Sequence, residues 1–202
     1  MPSVEIVRFP GSEAFLTDPL VLEDALEILK KADGVIDSPY YGLQTEDGST
    51  GYLIVKWETY EHHMRLTQQP HYQNLISALE RARSGPLDLQ HVDNFDKDVA
   101  PSLEAPATEF ALITPKDGAS LEAFQETLEN LGENLLKEKT CHHVAAGESR
   151  EKEGTWVMVI GWDSVQAHVT AVAQGVFPEL IKNLKNMATI EIKHANLVKY
   201  TK

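Results

Sequence analysis

The sequence has little cysteine and little positive charge. One cysteine, Cys141, occurs among 202 residues, which excludes an internal disulfide bond and a zinc site built from several cysteines. Lysine and arginine together number 18 against 31 aspartates and glutamates, so the formal net charge is −13. Because such a chain repels phosphate groups, we expect neither nucleic-acid binding nor attachment to an anionic membrane.

Long apolar runs and several common motifs are also missing. No stretch approaches the roughly 18 consecutive apolar residues of a membrane-spanning helix, and the first residues lack the cationic flank and apolar run of a secretion signal. The chain has no glycine-rich nucleotide-binding loop and no GxSxG motif of serine hydrolases. With 42% apolar residues it can still fill a core. We therefore expect a folded, cytoplasmic protein.

The sequence contains one pattern twice. Residues 42–79 align without gaps with residues 147–184, and nine of the 38 aligned positions are identical, among them Trp57 with Trp162. Each half also shows a strand, a helix, two strands, a helix and a strand in that order. The predicted fold class is therefore α+β: two ferredoxin-like β-α-β-β-α-β repeats, whose antiparallel sheets pack as an intramolecular pseudo-dimeric sandwich or α+β barrel.

The two repeats are expected to form domains joined by a linker. The first repeat is predicted at residues 1–95 and the second at residues 107–202. Between them, residues 96–106 contain proline and few large apolar side chains, which is typical of a tether. Because the second repeat takes the place of a partner subunit, we expect the pseudo-dimer to form within one chain, and a higher oligomer stays open.

Two corresponding segments resemble a known family. In Trp57–Leu79 and Trp162–Leu184, an aromatic residue is followed by an acid with Ser or Thr, and then by a helix that carries histidine. This pattern resembles the dimeric α+β barrel superfamily, in particular antibiotic-biosynthesis monooxygenase-like domains and stress-responsive A/B barrel proteins. The resemblance implies a small-molecule cavity between sheet and helices. It also implies one of four uses: cofactor-free oxygenation of phenolic polyketides, polyketide cyclisation, haem degradation, or no catalysis.

Single positions narrow the activities that the resemblance implies. Where haem-degrading members carry an axial histidine, the two halves have Ile76 and Ile181, so haem cleavage is disfavoured. The cyclases and stress barrels use a His-Pro-x-His run. Here Pro70 is kept, but His71 lies one position early and Tyr72 takes the matching place. The intact histidine and tyrosine pair of those proteins is therefore absent, and at most one half could keep such a site.

Eight histidines raise the question of a metal site, because imidazole is a common metal ligand. Adjacent pairs and the lack of an HxxxH or HExxH spacing argue against one, so no metal is expected. His63 and His168 are equivalent and lie beside apolar residues, which favours structural roles. His91 and His194 alternate with apolar strand residues. They are desolvated bases if that face lines the cavity, and buried structural groups if it faces the helices.

Two hypotheses about function follow. In the first, the protein is an enzyme that oxygenates or cyclises an aromatic or polyketide-like substrate without a cofactor, with a histidine as general base and a tyrosine that orients an oxygen atom. In the alternative, it is a non-catalytic stress-responsive barrel or a small-ligand-binding protein. The expected partner in both is a small hydrophobic or aromatic molecule. The predicted site residues are, as catalytic groups, His71, His91, Tyr40 and Tyr41 and, as pocket residues, Trp57, Tyr72 and His194.

Overall fold

The computed structural model describes residues 2–202. They form two compact units: the first comprises the residues up to Asn94 together with Ala195–Lys202, and the second comprises Phe95–His194. The last strand, β8 (Ala188–Lys199), therefore contributes its final residues to the first unit and its initial residues to the second. Each unit consists of antiparallel strands with helices packed against them.

The continuous part of the first unit begins and ends with a strand. Its elements, in chain order, are β1 (Ser3–Pro10), α1 (Glu13–Thr17), a 3₁₀ turn (Pro19–Leu22), α2 (Glu23–Lys30), β2 (Tyr40–Gln44), β3 (Thr50–Trp57), α3 (Tyr60–Thr67), α4 (Tyr72–Ala82) and β4 (Asp88–Asp93). Its strands lie in the order β4, β1, β3, β2 and the end of β8. In this register Glu5 lies opposite Val55 on one side and His91 on the other.

The second unit repeats this order without an equivalent of α1. Its elements are α5 (Ala100–Leu103), β5 (Ala107–Pro115), α6 (Leu121–Leu135), β6 (Cys141–Glu148), β7 (Trp156–Trp162), α7 (Val165–Val172), α8 (Phe177–Met187) and the start of β8. Its strands lie in the order β8, β5, β7 and β6. In this register Glu109 lies opposite Ile160.

Capping side chains explain where several helices begin. The Ser12 hydroxyl accepts a hydrogen bond from the Phe15 N–H at the start of α1. Ser120 and Ser164 do the same for α6 and α7, and each satisfies an N–H that the helix itself leaves without a partner. These serines fix the starts of helices that cover the sheets.

Alternation along the strands divides each sheet into two faces. On the helix-facing side of the first sheet, Val7, Phe9, Leu53 and Val55 are buried against the helices. The helical residues that pack on this side include Phe15, Leu22, Leu26, Leu29, Leu66, Leu75 and Leu79. In the second unit the corresponding helical residues include Phe124, Leu128, Leu131, Leu135, Ala171, Phe177 and Leu184. Each unit therefore has its own apolar core between sheet and helices.

The segment predicted as a linker contains a short helix, α5. The Ser102 hydroxyl donates to the Val159 carbonyl at 3.0 Å, and the Thr108 hydroxyl donates to the Ser102 carbonyl at 2.9 Å. Pro101 fits the first turn of this helix, because the N–H that proline lacks has no helical partner there. This part of the segment packs on β7. The sequence did not predict the helix because four helical residues are too few to show a periodic pattern.

The predicted fold class is confirmed at the level of each unit. Apart from the short α1, the 3₁₀ turn and α5, both halves follow a β-α-β-β-α-β order in which the second helix is split in two. Within residues 2–202, no helix is both long enough and apolar enough to cross a lipid bilayer.

Candidate active site

A glutamate, a tryptophan and two histidines form a hydrogen-bonded group in the first unit. The first quartet consists of Glu5, Trp57, His63 and His91. The Trp57 indole N–H donates to Glu5 Oε2 at 2.9 Å, and His63 Nδ1 lies 2.8 Å from His91 Nε2. Glu5 Oε2 is 3.8 Å from the same His63 nitrogen. The Trp57 and His63 rings stack with their centroids 5.1 Å apart, so the four side chains form one connected group.

The second unit contains the same group. The second quartet consists of Glu109, Trp162, His168 and His194. The Trp162 indole N–H donates to Glu109 Oε2 at 2.7 Å, and His168 Nδ1 lies 2.9 Å from His194 Nε2. Here the carboxylate oxygen approaches the other nitrogen of the helix histidine, His168 Nε2, at 3.5 Å. Every residue of the two quartets is at most 7% exposed, so both groups are shielded from solvent.

The fold brings each quartet together from four elements. In the first unit, Glu5 lies on β1 and is paired with His91 on the neighbouring β4. Trp57 is the last residue of β3, and α3 begins three residues later. Because residues three apart share a face of a helix, His63 is buried together with Leu66 and points toward the sheet. The quartet therefore joins this helix to the sheet beneath it.

Burial controls the charge of the second quartet. The pKa of His168 is lowered to about 4, first by burial and then by the neighbouring His194 imidazole, so His168 is neutral at pH 7. Of the two facing nitrogens of these rings, only one can carry the proton that they share. A neutral imidazole can accept a further proton, and the adjacent Glu109 carboxylate would stabilise the cation that results.

The glutamate and the two histidines of each quartet are also possible metal ligands. Their carboxylate oxygen and imidazole nitrogens lie within 4.8 Å of one another in both units. Divalent transition metals bind such nitrogen and oxygen donors. The expectation that the chain has no metal site depended on spacings within single helices, whereas these residues come from two strands and a helix.

A cavity of about 270 Å³ lies between sheet and helices in the second unit. Glu109 and His168 of the second quartet form part of its wall, together with Lys185. The remaining wall is apolar and includes Ala111, Ile113, Met158, Ile160, Ile181 and Ile192. The family resemblance implies a cavity at this location, with a few polar groups on an otherwise apolar surface.

In the first unit, aromatic rings occupy the space that corresponds to part of this cavity. By strand register, Val7 and Phe9 correspond to Ala111 and Ile113. Phe9 packs against Phe15 of α1 with ring centroids 5.2 Å apart, and a Cβ atom at Gly51 would collide with both rings. The second unit has no equivalent of α1, and its smaller residues leave the cavity open.

The four predicted catalytic residues are not brought together. His71 is exposed in the turn before α4. Tyr40 and Tyr41 are buried neighbours on β2, so their side chains point to opposite faces of the sheet. Tyr41 belongs to the helix-facing core, and the Lys199 ammonium group lies over the Tyr40 ring. His91 belongs to the first quartet.

The predicted pocket residues are also divided. Trp57 is in the first quartet and His194 in the second. Tyr72 packs against the first-unit core, and burial raises the pKa of its phenol, with a smaller contribution from the charge of Glu5. Both strand histidines, His91 and His194, contact a helix histidine and so face the helices. In the second unit this face also borders the cavity. The sequence left open whether these histidines face a cavity or the helices, and in the second unit the helix-facing side of the sheet is also the side of the cavity.

The lone cysteine does not have the environment of a nucleophile. Cys141 is buried, and burial raises the pKa of its thiol to about 12, so the reactive thiolate is absent at neutral pH. The adjacent His142 is directed elsewhere, since its Nε2 lies 2.7 Å from Asp163 Oδ1. These two neighbours therefore do not form a catalytic pair.

Sequence reasoning missed the two glutamates. Glu5 and Glu109 are 104 residues apart, whereas the repeat was recognised at an offset of 105 in segments that begin at Gly42. The available signal was an acidic residue on the inward side of an apolar first strand in both halves. A second signal was the requirement of a buried indole N–H for an acceptor.

The chain is similar to several proteins of known fold. Residues 106–180 match the family model described as antibiotic biosynthesis monooxygenase. A candidate monooxygenase from Fusobacterium nucleatum is 14% identical, with a TM-score of 0.67 over 100% of this chain and 98% of that one. A candidate monooxygenase from Lactobacillus acidophilus is 12% identical, with a TM-score of 0.66 over 98% of this chain and 96% of that one.

A third structure, described as an anthrone oxidase-like protein, is 14% identical, with a TM-score of 0.68 over 98% of this chain and 91% of that one. No curated protein sequence matches the chain. At these identities the structural likeness shows a shared fold. With the family match at residues 106–180, it supports the resemblance seen in the sequence: the second unit matches the antibiotic biosynthesis monooxygenase model, and the chain shares the fold of these three structures over nearly its whole length.

Proposed function

We propose that the protein is a cofactor-independent oxygenase whose substrate, a small electron-rich aromatic molecule, binds in the second-unit cavity. The observation that carries this proposal is the position of Glu109 and His168 in the wall of an otherwise apolar cavity. The family match, residues 106–180, covers most of the elements that form this cavity, which supports the same assignment.

The size and lining of the cavity favour a flat, largely apolar ligand. Its volume of about 270 Å³ is close to the lower end of the ~300–1,000 Å³ range of small-molecule sites. Ile192 lines the cavity and is 40% exposed, which places part of the wall at an entrance. Lys185 can attract an oxygen atom that becomes negatively charged during the reaction.

Proton removal is the step that the quartet can assist. A methylene group between aromatic rings, or a phenol, would lose its proton to the pair formed by Glu109 and His168. Because His168 shares a hydrogen bond with His194, the proton can pass to the second imidazole and leave the first ready for another turnover. The apolar wall excludes water and so strengthens these interactions.

Molecular oxygen is the oxidant in this proposal. The substrate anion transfers electrons to O₂ and forms a hydroperoxide at the same carbon. Loss of water from the hydroperoxide then gives a carbonyl group. For anthrone, one O₂ is consumed, and anthraquinone and one water are released, so atoms and electrons balance.

The test compares matched substitutions in the two quartets. Glu109→Gln and His168→Asn are expected to lower the rate of oxygen uptake with anthrone about 100-fold or more. The matched controls Glu5→Gln and His63→Asn remove the same groups from the first unit and should retain the wild-type rate per folded molecule. Oxygen uptake that falls equally in both pairs, or in neither, would contradict the assignment.

One observation favours the alternative of a non-catalytic ligand-binding protein. The quartet is also present in the first unit, where Phe9 and Phe15 pack in the corresponding space, so it has a structural use there. This alternative predicts that anthrone binds to the second unit without oxygen uptake. Tyr40, Tyr41 and His71, which were predicted as catalytic residues, belong to the first unit. Neither proposal gives them a role in substrate binding.

A further inference from the structure

The first quartet contains a second kind of site, which the oxygenase proposal does not use. We propose that Glu5, His63 and His91 bind one divalent transition-metal ion in the interior of the first unit. Two imidazoles and one carboxylate are the ligand types that zinc, cobalt and iron(II) share. The inference is independent of the proposed reaction, whose cavity and quartet lie in the second unit.

Convergence on one atom distinguishes the first quartet from the second. Glu5 Oε2 and His91 Nε2 both approach the same nitrogen, His63 Nδ1, at 3.8 Å and 2.8 Å. Three donor atoms thus surround one point. In the second quartet, the carboxylate approaches Nε2 of His168 whereas His194 faces Nδ1, so the two neighbours meet opposite sides of that ring.

The donor atoms need only small shifts to hold an ion. Two ligands at about 2.0–2.1 Å from a tetrahedral metal are about 3.3 Å apart. The distance of 2.8 Å between the imidazole nitrogens would widen by about half an ångström, and the distance of 3.8 Å to the carboxylate would shorten by about the same amount. The metal would take the place of the proton that His63 and His91 share.

The surroundings of the three ligands support this assignment. The Trp57 indole N–H donates to Glu5 Oε2, and the Trp57 ring stacks on His63, so one side chain orients two ligands. Such second-layer contacts are typical of metal sites. Glu5 is buried, and a divalent cation would offset the charge of a carboxylate in that position.

Depth of burial implies a structural ion and slow exchange. Each ligand is at most 6% exposed, so uptake requires folding around the ion or a local opening of α3 from the sheet. An ion bound to the folded state and not to the unfolded state raises the melting temperature of the protein. The metal is therefore expected to stabilise the first unit and to take no part in the oxygenation proposed for the second.

The experiment uses cobalt(II) as the probe and the full-length chain. Protein freed of metal with a chelator is incubated with cobalt(II) for hours, separated from free ion, and analysed for bound cobalt, visible absorption and melting temperature. We expect one cobalt per chain, visible absorption bands of the bound cobalt(II), and a higher melting temperature than that of the metal-free protein.

Matched variants decide whether the first quartet is responsible. Glu5→Gln and His91→Asn should each weaken cobalt binding about 10-fold or more and abolish the visible bands. Glu109→Gln and His194→Asn should retain both. If His91→Asn fails to fold, the cobalt binding and visible bands of Glu5→Gln alone test the proposal. The proposal is overturned if the wild type binds no more cobalt than Glu5→Gln, or if binding is lost in Glu109→Gln but kept in Glu5→Gln.

Discussion

The two units share a buried quartet and differ in the space beside it. Phe9 and Phe15 fill that space in the first unit, whereas Ile113 and the lack of an α1 equivalent leave a cavity in the second. The same hydrogen-bonded group thus lies beside packed aromatic rings in one copy and at a cavity wall in the other. The comparison separates the quartet, which both copies keep, from the residues beside it, which differ between the copies.

Truncation of the Phe9 ring should lower the free energy of unfolding more than truncation of Ile113, the corresponding residue of the second unit. Phe9→Ala removes a fully buried ring and is expected to lower the free energy of unfolding by about 3–5 kcal/mol. Ile113→Ala, at the corresponding position, enlarges an existing cavity and should lie near the lower end of the ~2–5 kcal/mol range. Urea denaturation of both variants measures the difference. Equal losses would show that the two interiors are packed alike.

The second quartet should also make stability depend on pH. The pKa of His168 is about 4 in the folded protein and about 6.5 in an unfolded chain. Above pH 7 the imidazole is neutral in both states and has no effect. As the pH falls from about 6.5 to 4, the unfolded chain binds the proton and the folded protein does not. Stability therefore decreases through this window, by about 3 kcal/mol in total.

A substitution at His168 isolates the contribution of this imidazole to the pH dependence of stability. His168→Asn should reduce the loss of stability between pH 7 and pH 4, whereas His142→Asn, which removes an exposed imidazole, serves as the control. Urea denaturation at several pH values gives both slopes. An unchanged slope in His168→Asn would show that this imidazole does not stay neutral in the folded protein.

Much of the fold could be predicted because the repeat preserves identities at fixed spacing. The 105-residue offset identified Trp57 with Trp162 and His63 with His168 as equivalent, and all four belong to the quartets. Those identities also carried the family resemblance. Pattern and periodicity were sufficient here because each repeat must bury the same face of its sheet beneath the same helices.

The site itself depends on contacts that a linear pattern does not contain. Glu5 meets His91 only through the pairing of β1 with β4, which joins residues far apart in the chain. The cavity depends on differences in volume at Phe9 and Ile113, and on the short α1 that supplies Phe15 to one unit only. His71 matched a family motif by spacing, yet the turn before α4 leaves it exposed.

The most direct test of the account places the first-unit residue in the second-unit cavity. Ile113→Phe fills the space beside Glu109 and His168 with a ring of the size found at Phe9. Anthrone binding, measured by calorimetry, is the decisive quantity, with oxygen uptake recorded on the same samples. The account predicts that both are lost while the melting temperature stays within a few degrees of the wild type. Anthrone binding of undiminished affinity in a folded Ile113→Phe variant would contradict it.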